Sequence, residues 1–552
     1  MITKAQSGAA IVAGLLVMGQ AMAQEQEATD EHTSYPTYGT KPNIVLIVSD
    51  DTGYWDLGAY LGGKARGMDT PNLDRMADEG MMFTDFYAQA SCTPGRAAMQ
   101  TGRNPNRSGM TTVAFQGQGG GLPEEEWTLA SVLKQADYNT YFSGKWHLGE
   151  ADYAMPIAQG YDKMENVLLY HLNAMTYALD GWNPQISEEQ RKFFEDSTIG
   201  ILEGEAGEKP TEVLSMADMT EKDLANLDTM TAEKAVAEME RLAGLDQPFF
   251  MSINWSANHQ PNLPADEFVG ASDVKSKYGD KVVEMDAQTG KLLDKIKELG
   301  IEDNTLIVYT VDNGAWQDVH PDSGMTPFRG SKGTDREGGW RVPAIFKWKG
   351  HIDSGARSSE IAGGLDLMAT FAHLAGVELP KEDRAGEPII FDSYDMAPIL
   401  FSDVDDELWK RDSWLYFTET ELMPGAIRIG HWKAVFNQKG DNGAIAGSEA
   451  PAAELGWRGP SQYSDVVPQI FNLWEDPQER YDIFMASGRE NTWALPFFSE
   501  ELKKVAESYM EYPPRPLQSD AYSGPLTIKR FRALEKVQEI LKEKNIQVDL
   551  SN

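Results

Sequence analysis

Asp50-Asp51 and Asp312-Asn313 each stand directly behind a short apolar run, Ile44–Val48 and Leu306–Val311. All four are hard oxygen donors, a set that selects Ca²⁺ or Mg²⁺ over zinc. Lys145 and His147, within Gly144-Lys145-Trp146-His147, follow another strand-like stretch at 140–143, and His259 follows Phe249–Trp255. In doubly wound folds ligands bind beyond the carboxyl ends of the strands. These segments therefore deliver a metal cage and candidate acid–base groups to one sheet edge. A single acid pair or loop histidine is ordinarily solvated surface; two pairs of oxygen donors, each behind a buried strand, weigh more.

Cys92 is the chain's one cysteine. Pro94 suits a first helical turn, which sets Cys92 at a helix N-terminus, where backbone N–H groups and the dipole favour an anion. Arg96 returns to the same end of that helix. No internal disulfide can form, so the thiol is either a small buried hydrophobe or a site of chemistry.

The elements that must position these residues alternate. Short continuous apolar runs mark strands covered on both faces. Between them lie helical stripes. Thr70-Pro71 opens a helix in the N-cap/N1 manner, with Leu73, Met76 and Ala77 as its inner stripe and Gly80 as its close, and Thr128 can cap a helix bearing Leu129, Val132, Leu133 and Ala136. Ala232–Ala243, Leu292–Leu299 and Leu367–Ala375 continue the rhythm. The alternation predicts an α/β fold, a large mixed, mostly parallel sheet flanked by helices. Residues 184–230 read as a polar surface insertion. Ser413–Thr418, Ala426–Ile429, Trp432–Phe436 and Gln469–Leu473 predict a smaller C-terminal antiparallel sheet, and 525–545 a charged terminal helix. The expected division is a signal peptide at 1–23, a flexible lead-in at 24–40, a catalytic domain at 41–400 and a C-terminal α+β subdomain at 401–552.

The signal peptide rests on Lys4, the apolar stretch Ala9–Val17 and the small-x-small pattern Ala21-Met22-Ala23. It predicts export, to the periplasm or as a secreted protein, without stable membrane insertion. A net charge of -37 over 552 residues repels nucleic acid and anionic membranes.

Cys92-Thr93-Pro94-Gly95-Arg96 resembles the Cys-x-Pro-x-Arg maturation signal of the type I, formylglycine-dependent sulfatases of the alkaline phosphatase superfamily. The residue before Arg is often Ser in that family and is Gly95 here. Asn43–Asp51 with Gly53, Gly144–Gly149, Asn258–Pro261, Asp312-Asn313-Gly314, Arg329–Gly333 and Arg341-Val342-Pro343 resemble further family marks. The likeness runs from about Lys41 to Gly376, with weaker echoes at Phe471-Asn472-Leu473 and Asp476-Pro477. It implies that a formylglycine-generating maturation enzyme converts Cys92 to formylglycine, whose hydrated aldehyde attacks sulfur with one hydroxyl and expels sulfate through the other. It implies Ca²⁺, with Mg²⁺ the alternative, held by Asp50, Asp51, modified Cys92, Asp312 and Asn313. It further implies that Arg96 and Lys145 orient the diol, that His147 is the base for sulfate release, and that Lys332 and His259 bind sulfate. His259 is the better candidate to protonate the leaving oxygen.

The expected activity is hydrolysis of aryl sulfates or sulfated sugars. A phosphonate monoester or phosphodiester hydrolase on the same scaffold is the second reading. A non-catalytic binder of sulfated ligands is the third, disfavoured by the presence of a nucleophile precursor with acid–base partners.

Overall fold

The apolar run behind Asp50 becomes the middle strand of the molecule. The computed structural model describes residues 41–117, 119–418, 422–437, 467–484 and 491–516. The signal peptide and lead-in expected at 1–40, and the helix expected at 525–545, lie outside these. In chain order the large sheet comprises β1 (Asn43–Ser49), β2 (Met81–Tyr87), β3 (Asn139–Lys145), β4 (Lys163–Leu168), β5 (Ile201–Glu205), β6 (Thr211–Leu214), β7 (Phe249–Asn254), β8 (Thr305–Val311), β9 (Arg341–Lys347), β10 (Ala356–Ser358) and β11 (Ala362–Gly363). Their spatial order is β10-β2-β9-β8-β1-β7-β3-β4-β5-β6, with β11 also on β2. β8, β1, β7, β3 and β4 run parallel. β1, β7 and β8 are buried at every position, as strands covered on both faces must be.

One stretch departs from the sequence reading. The segment 184–230 is not only a surface insertion: its helix Glu188–Ser197 buries no residue, but β5 and β6 extend the sheet antiparallel to β4. β9 lies antiparallel between β8 and β2. Among the helices are α1 (Pro71–Asp78), α2 (Cys92–Thr101), α3 (Leu129–Leu133), α4 (Leu227–Ala243), α5 (Lys277–Glu298) and α6 (Leu367–Ala375). Thr128 caps α3 as expected, accepting the Ser131 N–H at 3.1 Å. Thr70 does not cap α1 with its side chain. Its hydroxyl accepts from Gly58 instead, and the Asp286 carboxylate on α5 takes the free N–H groups of Asn72 and Leu73 at 3.1 and 2.8 Å. Helix N-termini need such acceptors, and here tertiary structure supplies one.

The second sheet is antiparallel: β12 (Ser413–Tyr416), β13 (Ala426–Ile429), β14 (Trp432–Val435) and β15 (Gln469–Asn472). α7 (Leu495–Glu511) packs on it through Leu495, Phe498 and Leu502. Tyr87, Trp340, Trp414, Tyr416 and Phe471 form a core shared by the two sheets. Glu337 is buried inside that joint, accepting from Tyr87 Oη at 2.7 Å, Tyr416 Oη at 2.6 Å and Lys433 Nζ at 2.9 Å. Among the described residues no helix is long and apolar enough to cross a membrane.

Candidate active site

The four strands that end in polar residues are neighbours, β8-β1-β7-β3. Adjacent parallel strands lie about 4.8 Å apart, so their ends fall within reach of one another. Asp312 and Asn313 follow β8, Asp50 and Asp51 follow β1, His259 follows β7, and Lys145 closes β3 with His147 beyond it. α2 brings Cys92 to its first position, with Ser91 as N-cap. Residue 95 must be small: a Cβ there would lie 1.9 Å from the Asp312 backbone oxygen, so glycine lets α2 close against the end of β8. Asp51 and His147 both hold left-handed backbone, with φ of 51° and 57°. Non-glycine residues rarely adopt that conformation, and it tends to gather at functional sites.

Oxygen or sulfur atoms of Asp50, Asp51, Cys92 and Asp312 all lie within 4.8 Å of one another. The Cys92 Sγ occupies the position that the oxygen atoms of a converted side chain would take. Lys332 Nζ donates to it at 2.9 Å and to Asp51 Oδ1 at 2.7 Å. Cys92 in turn donates to Asp50 Oδ1 at 3.5 Å. Lys145 Nζ pairs with Asp50 Oδ2. Arg96 spans the cluster, donating to Asp312 Oδ2 at 2.9 Å, the Lys145 carbonyl at 2.6 Å, Asn254 Oδ1 at 3.3 Å and Asp50 Oδ2 at 3.4 Å. Asn313 donates to Asp51 Oδ1 at 2.6 Å.

Three buried oxygens of this group, Asp51 Oδ2, Asp312 Oδ1 and Asn313 Oδ1, have no hydrogen-bond partner among the described residues. Buried polar atoms are ordinarily satisfied. Three unsatisfied acceptors beside two further carboxylate oxygens fit a divalent cation, and these donors are all hard. The electrostatics agree. Burial, with Asp50 adding repulsion, raises the Asp312 carboxyl to about 6 and also raises Asp51. Burial works the same way on Asp50, but Lys145, His259, Arg96 and Lys332 outweigh it and hold its carboxyl low. Burial and then Asp50 push the Cys92 thiol well up, so the unmodified side chain is a poor source of thiolate.

Each histidine's backbone contact sets its tautomer when neutral. His147 Nε2–H donates to the Ala114 carbonyl at 3.0 Å, leaving Nδ1 as a buried lone pair without a partner among the described residues. His259 Nδ1–H donates to the Gln260 carbonyl at 2.6 Å, leaving Nε2 3.8 Å from Asp51 Oδ2. Burial, then Lys145, holds both imidazoles well below the usual range.

The structure thus brings Asp50, Asp51, Cys92, Arg96, Lys145, His147, His259, Asp312, Asn313 and Lys332 to one place. It also adds His171, Asn254 and Asp228, which the sequence reading did not select, and Trp316, which opens the stretch Trp316–Pro327 that the sequence offers as a specificity loop. His171 lies between His147 and His259, with ring centroids 5.6 and 5.4 Å away. Trp316 covers Lys332 at 4.9 Å and His259 at 5.2 Å. Asn254, inside an apolar strand, orients Arg96, and Asp228 takes the Ser256 and Ala257 N–H groups at 2.7 and 3.1 Å, shaping the turn before His259.

Comparison with known proteins gives a consistent result. The family model described as Sulfatase matches residues 42–377. The N-acetylgalactosamine-6-sulfatase of Rattus norvegicus is 32% identical over 478 residues, spanning 81% of this chain and 82% of that protein. Arylsulfatase G of Homo sapiens is 35% identical over 502 residues, spanning 86% and 88%. The crystal structure of the PsFucS1 sulfatase from Pseudoalteromonas sp. superposes with a TM-score of 0.77 at 30% identity, covering 86% of this chain and 92% of that one.

Proposed function

The chain belongs to the sulfatase family and hydrolyses sulfate esters; from that premise we propose that its substrates are sulfated saccharides, cleaved at the Cys92 cluster with Ca²⁺ bound. The observation that carries the site is the convergence of Cys92 with three carboxylates inside 4.8 Å, under the Lys332 ammonium. Saccharide substrates are supported by the N-acetylgalactosamine-6-sulfatase relatives.

Asp50, Asp51, residue 92, Asp312 and Asn313 would hold the ion. An oxygen cage supplied almost wholly by protein suits Ca²⁺, since Mg²⁺ prefers to keep several waters. Bound there, the ion would lower the pKa of an attacking hydroxyl and offset sulfate charge. Conversion of Cys92 by a formylglycine-generating enzyme supplies a hydrated aldehyde, one hydroxyl serving as nucleophile and the other as the handle for sulfate release.

The remaining roles follow from the contacts. Lys332 and Lys145 flank residue 92 and the carboxylates, so they neutralise an arriving sulfate and orient the diol. Arg96 locks Asp50 and Asp312 relative to α2. His147 has its Nε2–H committed to Ala114 and presents the Nδ1 lone pair, the arrangement a general base requires. His259 has Nδ1–H committed to Gln260, so Nε2 is the atom that must take up a proton, as imidazolium, before passing it to the leaving oxygen. Export to the periplasm or beyond is supported by the leader-like residues 1–23.

The test is Cys92→Ala beside the parent, with conversion of residue 92 checked by peptide mass spectrometry. Parallel sulfate and phosphate esters of one phenol, with a panel of monosaccharide sulfates, complete the assay. Loss of all turnover in a folded variant is expected, with sulfate preferred by the parent. Activity surviving in Cys92→Ala sinks the nucleophile, and a preference for phosphate sinks the choice of ester.

A further inference from the structure

The three imidazoles at the sheet edge are not equivalent. His171 stands just after β4, before the short helix Leu172–Thr176, and its Nδ1 accepts the Ala174 N–H at 3.1 Å. That bond uses the Nδ1 lone pair, so the neutral ring carries its proton on Nε2. Nε2 has no hydrogen-bond partner among the described residues, although the side chain is almost fully buried. When neutral, His147 presents its Nδ1 lone pair and His259 its Nε2 lone pair, while His171 alone offers a free N–H donor.

Its neighbours say what it faces. His171 lies flat against His259, with centroids 5.4 Å apart and planes 12° apart, and edge-on to His147. On its other side it meets Phe115 at 5.6 Å, and Phe115 is 45% exposed. Phe115, His171, His259 and Trp316 thus form one chain of ring contacts, with the two histidines buried between exposed Phe115 and half-buried Trp316. His171 belongs to neither of the groupings of potential metal ligands around Asp50 and Cys92. It sits one ring outward from the residue that protonates the leaving oxygen. A leaving group attached at that oxygen must extend along this row.

We propose that His171 is a specificity-determining residue, donating Nε2–H to an oxygen of the leaving group beside the scissile ester, so that a polyhydroxylated sugar is favoured over a phenol. The inference rests on the saccharide reading above and deepens it. A donor without a protein partner, covered once the leaving group is seated against it, is matched by a sugar hydroxyl, whereas a phenyl ester brings no oxygen beside the ester carbon. Leaving such a donor unmatched costs about 1–3 kcal/mol, or roughly 10- to 100-fold in kcat/KM.

Two variants separate this role from the helix cap. His171→Asn keeps a side-chain oxygen for the Ala174 N–H, because Asn is a strong N-cap, but shortens and removes the ring donor. His171→Phe keeps the ring row and loses both cap and donor. Each is assayed, per converted residue 92, on the best-cleaved member of a monosaccharide sulfate panel, on the same sugar lacking its neighbouring hydroxyl, and on 4-nitrophenyl sulfate. Both variants are expected to lose about 10- to 100-fold on the sugar and to stay within about threefold on the phenol. The parent should discriminate against the deoxy sugar, and the variants should not. Equal losses on sugar and phenol, a loss confined to His171→Phe, or no loss on the sugar overturns the assignment to His171 and leaves the saccharide reading standing. A converted parent that cleaves the phenol but no sugar sulfate overturns both.

Discussion

Replacing Gly95 by serine, the residue more usual in the family at that position, is expected to cripple this chain. A Cβ on residue 95 would lie 1.9 Å from the Asp312 backbone oxygen and 2.9 Å from its carbonyl carbon. Carbon and oxygen normally settle about 3.3 Å apart, so α2 or the end of β8 must retreat by more than about 1 Å. The obstacle is backbone at the end of a wholly buried strand, which cannot swing aside as a side chain can. α2 carries Cys92 and Arg96, and the strand end carries Asp312 and Asn313, so separating them pulls the proposed nucleophile from the proposed cage. A misplacement near 1 Å costs about 100-fold in rate, and overpacking adds about 1–3 kcal/mol of destabilisation. The assay is kcat/KM on 4-nitrophenyl sulfate, normalised to the fraction of residue 92 converted as measured by peptide mass spectrometry. Normalisation keeps altered recognition of the maturation signal from passing as altered catalysis. A denaturant titration reads stability. If Gly95→Ser turns over within about threefold of the parent and is equally stable, the close approach of α2 to β8 is refuted.

Lys433→Met should destabilise the protein by about 3–5 kcal/mol in denaturant titration, because it leaves the buried Glu337 short of its ammonium partner. An unchanged midpoint would count against the pairing. Burial opposes ionisation of Glu337, but Lys433, Arg428, Arg341 and the Tyr416 hydroxyl outweigh it and hold the carboxyl at about 2, below its ordinary 4.5. A depressed carboxyl contributes stability above the unfolded-state value and loses it as pH falls toward the folded one. The penalty of Glu337→Gln should therefore shrink by about 2 kcal/mol between about pH 5 and pH 3, and a constant penalty would rule the assignment out. Stripping divalent ions with a chelator should abolish turnover. Returning Ca²⁺ at about 100 times its Kd should raise stability by about 3 kcal/mol, with Mg²⁺ giving less. Equal stability with and without ions would contradict the cage.

The sequence was most readable where chemistry follows directly on a buried strand. Asp50, Asp51, Asp312 and Asn313 sit behind runs so apolar that strand and sheet edge are both evident, and Cys92 announces itself by its motif. Lys332 was legible only through that resemblance, since nothing in its loop marks it locally. His171 was not legible at all. It follows β4, whose residues Lys163–Leu168 mix charge with apolar side chains, and its role arises from two other histidines that the fold stacks beside it. Asn254 was hidden inside an apolar run for the same reason. β5 and β6 escaped notice because they close the sheet at its margin, where half-solvated sequences carry no clean period. The failed Thr70 cap shows the same limit: the competing acceptor, Asp286, lies more than two hundred residues away along the chain.

The thiol of Cys92 is only 1% exposed in the finished fold. Any catalyst that rewrites this side chain must therefore reach it while the chain is still open. The partners that seal it come late: Arg96 and Asp312 are 216 residues apart, and Lys332 is 240 residues beyond Cys92. Between the emergence of residue 92 from the ribosome and the arrival of those partners there is an interval of more than two hundred residues. Folding rate and modification rate are then in competition, and a chain that closes too soon is locked permanently as an inert thiol protein.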